Sequence, residues 1–200
     1  MTNLADRILS YAKGRGKGWV FTPKHLLALS NRAAIDQSLH RLVQQGLIRR
    51  IARGIYDIPV VHPTFGQLSP NADAIVKAVA DASGSQLQVS PARAANLLGL
   101  STQVPAKLVY LTDGSSRQLK VGNQVLQLKH ASRKMLLGAG RPAGVAYQAL
   151  RSVRHSDNPD RALLHLHRNL DASVKKDLKR LAADAPASIR PLIAAVSVDR

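Results

Sequence analysis

Apolar residues recur at helical spacing from the start of the chain: Leu4, Ile8, Tyr11 and Ala12 predict a first helix over residues 3–13. The pattern stops at Lys13-Gly14-Arg15-Gly16-Lys17-Gly18, where alternate glycines remove helix propensity and cations gather. Trp19-Val20-Phe21 reads as a short strand. Thr22 then caps a short helix over 23–29, with Pro23 at its first position and Leu26, Leu27 and Leu29 on its apolar side. Ser30-Asn31 caps a longer helix from Arg32 to Gln45, whose Ile35, Leu39, Leu42 and Val43 make one inward stripe, and Gly46 ends it. Leu47 to Ile51 and Ile55 to Ile58 are strand-like around the turn Ala52-Arg53-Gly54, and Pro59 closes the second strand. Ile48 and Ile51 have opposite parity in a regular strand, so either both faces are covered or a bulge intervenes. A short helix, a longer helix and a basic hairpin in that order describe a winged helix-turn-helix over residues 1–60.

Beyond it, residues 61–70 hold Pro63, Gly66 and Pro70 and read as a linker. Residues 71–200 read as a mixed α/β domain with C-terminal helices, so the expected fold class is α+β. Ser69-Pro70 is expected to cap a helix with Ala72, Ile75, Val76 and Val79 inward. Leu87-Gln88-Val89 predicts a short strand, and Ser90-Pro91 begins a helix that ends near Leu98-Gly99. Lys107 to Thr112 is a strand followed by an Asp113-Gly114 turn, and 117–121 with 124–129 form a hairpin around Gly122-Asn123. Helices are expected over 141–154, 159–169, 172–184 and 188–196, with Asn158 and Asp171 as caps.

Charge narrows the partner. Lys and Arg number 29 against 12 acidic residues, a formal net charge of +17, and that excess favours a polyanion, with a merely solvated surface as the alternative. The longest apolar runs, such as Ile193-Ala194-Ala195-Val196, are far too short to span a bilayer. The N-terminus lacks the charged start and apolar stretch of a signal peptide, so a cytoplasmic location is expected, without a membrane partner. With no cysteine, disulfides, thiolate zinc sites and cysteine nucleophiles are excluded.

At 100° per residue, Ala33, Gln37, His40, Arg41 and Gln44 face away from the apolar stripe of the longer helix. A small residue near the start lets such a helix sink into a major groove, while Gln and Arg farther along reach base edges or phosphates. Lys24 and Arg32 lie before and at the start of this helix, Arg49 and Arg50 on the hairpin, and Arg53 at the wing tip. Together these ten residues are the candidate contacts to double-stranded DNA, on inverted half-sites if the chain dimerises. A solvated helix face is the alternative for the helix taken alone. Aromatic residues at 4% argue against single-strand recognition by stacking. The Lys13–Gly18 segment is either a phosphate-contacting loop or a solvated connector.

Catalytic signals are thin, and the chain is read as not an enzyme, with no cofactor and no metal. His165 and His167 are two apart in a predicted helix and point in different directions, one packed and one exposed. Gly138 to Gly144 is glycine-rich without GxGxxG spacing and reads as a turn before a helix. Ser115-Ser116 lies in a turn with no acid-base partner nearby.

Two segments carry a family resemblance. Residues 21–59, with Leu39-His40-Arg41-Leu42, Gly46-Leu47-Ile48-Arg49-Arg50 and Arg53-Gly54-Ile55-Tyr56, resemble the AbiEi-type antitoxins. So does the more specific run Leu98-Gly99-Leu100-Ser101-Thr102-Gln103-Val104-Pro105, followed by Tyr110-Leu111-Thr112-Asp113-Gly114. The resemblance covers residues 1 to about 155. It implies a bacterial antitoxin whose operon partner is a nucleotidyltransferase toxin, with the winged helix repressing the shared promoter and the C-terminal domain neutralising the toxin, directly or through a shared target. Arg141, Lys175, Lys176, Lys179 and Arg180 are the candidates for toxin control, with a solvated helix face as the alternative. A stand-alone regulator with a ligand-sensing or dimerising C-terminal domain is the competing reading.

Overall fold

A computed structural model describes residues 3–103 and 107–198. Residues 104–106, which include Val104 and Pro105 of the second segment that carries the resemblance, lie outside the described residues. The fold is mixed α and β, with three small sheets, and it divides into two compact units.

Unit 1 comprises residues 1–85 together with 119–124. Helix α1 (Leu4–Gly14) is capped by Asn3, and its Ile8 and Ala12 are buried. Strand β1 (Val20–Phe21) follows, then a single 3-10 turn, Pro23–Leu26, where a full short helix to residue 29 was expected. Helix α2 (Arg32–Gln44) begins as the Asn31 side chain accepts the Ala34 N–H at 2.9 Å. It ends where Gly46 takes a left-handed φ of 68°. Strands β2 (Arg49–Ala52) and β3 (Ile55–Asp57) form the wing, and the sheet order β1-β3-β2 makes β3 its central strand. The register shifts between Arg50 and Ala52, so a bulge resolves the parity conflict of Ile48 and Ile51. Ile8, Phe21, Leu26, Ile35, Leu39, Leu42 and Ile48 close one core, each no more than 2% exposed.

The expected linker is structured. Strands β4 (Val61–His62) and β5 (Gly66–Gln67) form a small hairpin, and the Leu68 N–H donates to the Val60 carbonyl at 2.8 Å. Helix α3 (Ala72–Ser83) is capped by Asn71, not by Ser69-Pro70, since the Asn71 side chain accepts from both Asp73 and Ala74. This helix packs on β1 and β3, so unit 1 runs to Ser85 and the expected boundary after residue 70 falls inside it.

Unit 2 takes the rest. The four-stranded sheet joins β6 (Leu87–Val89), β7 (Leu108–Thr112), β9 (Gln124–His130) and β8 (Arg117–Val121) in the order β6-β7-β9-β8. Only its residues 119–124, the end of β8 and the start of β9, are counted with unit 1. Strand β6 is antiparallel to β7, whereas β7 and β9 run parallel with Thr112 opposite His130. Helices α4 (Pro91–Leu97), α5 (Pro142–Val153), α6 (Pro159–Asn169), α7 (Ala172–Leu181) and α8 (Arg190–Ser197) complete it. Helix α5 is central and contacts each of the other four. Its small residues Ala143, Gly144, Ala146 and Ala149 let neighbours approach closely, and Leu150 fills the space between them.

The closest approach is at Gly144, where an added Cβ would collide with the Gly138 carbonyl and the Gln88 side chain. Both obstacles are held: Gly138 is buried in a left-handed turn, and Gln88 is 4% exposed. Gly144→Ala is therefore expected to destabilise the protein by about 1–3 kcal/mol. Urea denaturation of both proteins checks this; an unchanged midpoint would mean that the turn yields freely.

Candidate nucleic-acid interface

The polar face of α2 is set by its opposite face. Ile35, Leu39 and Leu42 are buried, so Ala33, Gln37, His40, Arg41 and Gln44 are all exposed. One stretch of about three turns thus presents a small residue, an amide, an imidazole, a guanidinium and a second amide to solvent. Lys24 is exposed on the 3-10 turn before α2, and Arg50 and Arg53 are exposed on the wing. At the wing tip Gly54 adopts φ 72°, a conformation that a side chain disfavours, which allows a two-residue turn with Arg53 at its apex. Lys24, Arg41, Arg50 and Arg53 have no ion-pair partner among the described residues.

Two of the ten candidates are otherwise engaged. Arg49 forms a two-pronged ion pair with Asp57, at 3.0 Å from Nε and 2.6 Å from the outer nitrogen, and its third nitrogen donates to the Leu68 carbonyl at 3.1 Å. Asp57 is 1% exposed, so Arg49 holds the wing together and is not a free contact. Arg32 pairs with Asp36 one turn on, at 2.8 Å, though this pair is exposed and is worth at most about 1 kcal/mol. The hairpin register pointed to the first pair: Arg49 and Asp57 are equidistant from Arg53 and sit directly opposite each other.

The glycine-rich segment after α1 is partly committed as well. Arg15 donates to the Tyr11 hydroxyl at 2.6 Å and lies 4.9 Å from the Tyr11 ring centre, while Lys13 and Lys17 stay exposed. His25 closes the 3-10 turn by accepting the Thr22 N–H at Nδ1, 3.0 Å away. Burial lowers its pKa below the usual 6.5 despite the raising influence of Asp81, which favours the neutral ring that an accepting Nδ1 requires.

In unit 2, Arg141 pairs with Asp177 at 2.8 Å, which makes it a tether between the start of α5 and α7. Lys176, Lys179 and Arg180 are exposed on α7 and Lys175 is half-buried, opposite the buried Leu178 and Leu181. His165 and His167 are both half-buried: Nε2 of His165 lies 3.0 Å from the Leu98 carbonyl, and Nδ1 of His167 lies 3.1 Å from the Val196 carbonyl. The expectation of one packed and one exposed ring is thus corrected, since both are used to join helices. Among the described residues no helix is long and apolar enough to cross a membrane.

The profile of a family of unknown function, DUF6088, matches residues 7–182. A solved structure, that of the RV2827C protein from Mycobacterium tuberculosis, aligns over 98% of this chain and 77% of its own at 16% identity, with a TM-score of 0.46. No curated protein matches the chain significantly.

Removal of the guanidinium from Asp57 would leave a carboxylate stranded out of water. Arg49→Ala is expected to cost about 3 kcal/mol of stability, far more than Arg32→Ala, whose pair is exposed. Thermal melts of the two variants check the contrast, and equal losses would refute the strut.

Proposed function

The chain belongs to the DUF6088 family, a family of unknown function, and we propose that this member binds double-stranded DNA through its winged helix and serves as a self-repressing antitoxin. The observation that supports the DNA half is the exposed face of α2, with Gln37, His40, Arg41 and Gln44 unobstructed, next in sequence to a wing whose apex is an unpaired arginine. Helix α2 supplies the base-reading groups and sits in the major groove. Arg53, and Arg50 beside it, neutralise phosphates without reading sequence. Arg49 drops out of the contact set because Asp57 retains it.

The antitoxin half rests on the resemblance to AbiEi-type proteins. On that reading the operator is the chain's own promoter, and the partner is a nucleotidyltransferase toxin encoded beside it. The α7 cations Lys175, Lys176, Lys179 and Arg180 belong to the toxin-control half of the proposal, whereas Arg141 drops out of it because Asp177 retains it.

Each half has its own test. Arg41→Ala and Gln37→Ala are expected to lose about 1–3 kcal/mol of preference for the upstream DNA over random duplex. Arg53→Ala should weaken binding to all sequences and reduce the salt slope by about 0.9. Mobility shifts at several salt concentrations measure both, and unchanged binding in all three variants would remove this surface from consideration. Co-expression of the full chain with the adjacent reading frame tests the rest. Growth rescue is expected; a harmless neighbour, or one that is toxic and not rescued, would favour a stand-alone regulator.

A further inference from the structure

Unit 2 is as basic as the winged-helix unit. It holds 17 Lys and Arg against seven Asp, and unit 1 holds 12 against five. Part of this excess gathers where the parallel strands end. Strands β7 and β9 deliver Thr112 and His130 side by side, so the residues that follow each strand emerge at one edge of the sheet, about 5 Å apart in strand spacing. Asp113-Gly114-Ser115-Ser116 follow β7, Ser132, Arg133 and Lys134 follow β9 closely, and Lys129 and His130 are the last two residues of β9, on opposite faces of the sheet. Ser115, Ser116, Lys129, His130, Ser132, Arg133 and Lys134 are all exposed.

This edge is built rigidly. The His130 N–H donates to the Ser116 hydroxyl at 2.8 Å, and the His130 ring Nδ1 lies 3.1 Å from the Gly114 carbonyl. A carbonyl can only accept, so Nδ1 carries a proton. The Ala131 N–H binds the Thr112 carbonyl at 2.8 Å, and Asp113 is occupied in accepting the Gln86 N–H at 2.8 Å. The 3-10 turn Arg133–Met135 is fastened from below by two fully buried side chains of α5. The Tyr147 hydroxyl donates to the Lys134 carbonyl at 2.9 Å, and the Gln148 amide donates to the Met135 carbonyl. Two polar groups are thus sunk into the core to fix the backbone that carries Arg133 and Lys134. Lys129, Arg133 and Lys134 have no ion-pair partner among the described residues, whereas Arg141 a few residues later does.

We infer that this edge is a second nucleic-acid contact, which takes the phosphate backbone of duplex DNA without reading its sequence. Unpaired cations on a held backbone, interspersed with hydroxyls at the carboxyl ends of parallel strands, suit phosphate oxygens. All three cations are exposed, which suits an extended backbone rather than a small enclosed phosphate. The site uses the same ligand class as the winged helix but rests on separate residues.

The test uses the full-length chain and a fluorescent duplex of random sequence, with anisotropy followed from low to moderate salt. The triple variant Lys129→Ala/Arg133→Ala/Lys134→Ala keeps every backbone bond described above and is expected to melt like the parent. It should bind random duplex at least tenfold more weakly, with a salt slope shallower by about 2–3. Lys129→Arg/Arg133→Lys/Lys134→Arg should restore both. The winged-helix variant Arg41→Ala/Arg53→Ala should lose preference for the upstream DNA yet retain the part of random-duplex binding that the triple variant removes. A folded triple variant with parental affinity and slope overturns the inference. So does tighter binding of single-stranded RNA of equal length that vanishes in the same variant, because the ligand would then be RNA. A parent chain with no preference for its upstream DNA counts against the winged-helix reading instead.

Discussion

The Arg49–Asp57 pair holds the winged-helix unit in its observed form. Asp57 ends the central strand of the β1-β3-β2 sheet, where it is almost completely shielded from water. A carboxylate in that position persists only with a partner that neutralises it and occupies its lone pairs, and the forked guanidinium of Arg49 does both. The same guanidinium reaches the Leu68 carbonyl, so the wing and the base of the following hairpin are fixed by one side chain. The wing is held at its root, and its apex is a two-residue turn that carries Arg53.

A second constraint is the scarcity of acid. All twelve acidic residues are Asp, and several are consumed locally: Asp36, Asp57, Asp81 and Asp177 pair with Arg or Lys, and Asp113 caps a backbone N–H. Short side chains reach only near partners, so among the described residues cations such as Lys24, Arg41, Arg50, Arg53, Arg133 and Lys134 stay without an ion pair and face solvent. Paired cations such as Arg49 and Arg141 act as struts. Unpaired ones on α2, on the wing and at the β7/β9 edge are left exposed, and these are the groups proposed to meet DNA.

Helix α1 was legible from periodicity alone, with Ile8 and Ala12 on its buried side, and α2 because periodicity and capping agree: Asn31 caps it, and Ile35, Leu39 and Leu42 mark its buried side. The hairpins around Gly54 and Gly122-Asn123 were legible for a similar reason, since turn chemistry and alternation point to the same place. Strands β4 and β5 were not, because two-residue strands have no period and Pro63 and Gly66 read as breakers. Nor does the sequence of α3 say which unit it joins, as an apolar stripe names a buried face but not its partner. At the candidate interface, composition gave the sign of the charge and the helical wheel gave the exposed face of α2. The distinction between Arg49 and Arg50 depended on cross-strand register, and the edge at His130 on a parallel pairing that local pattern does not encode.

Hydrogen–deuterium exchange of the full chain, with and without its upstream duplex, tests the central claim most directly. Slowed exchange over α2 and the wing, residues 32–57, with α1 and the α4–α5 core unchanged, is the predicted result. Saturating duplex that leaves residues 32–57 at their free rates would contradict the assignment of this face to DNA.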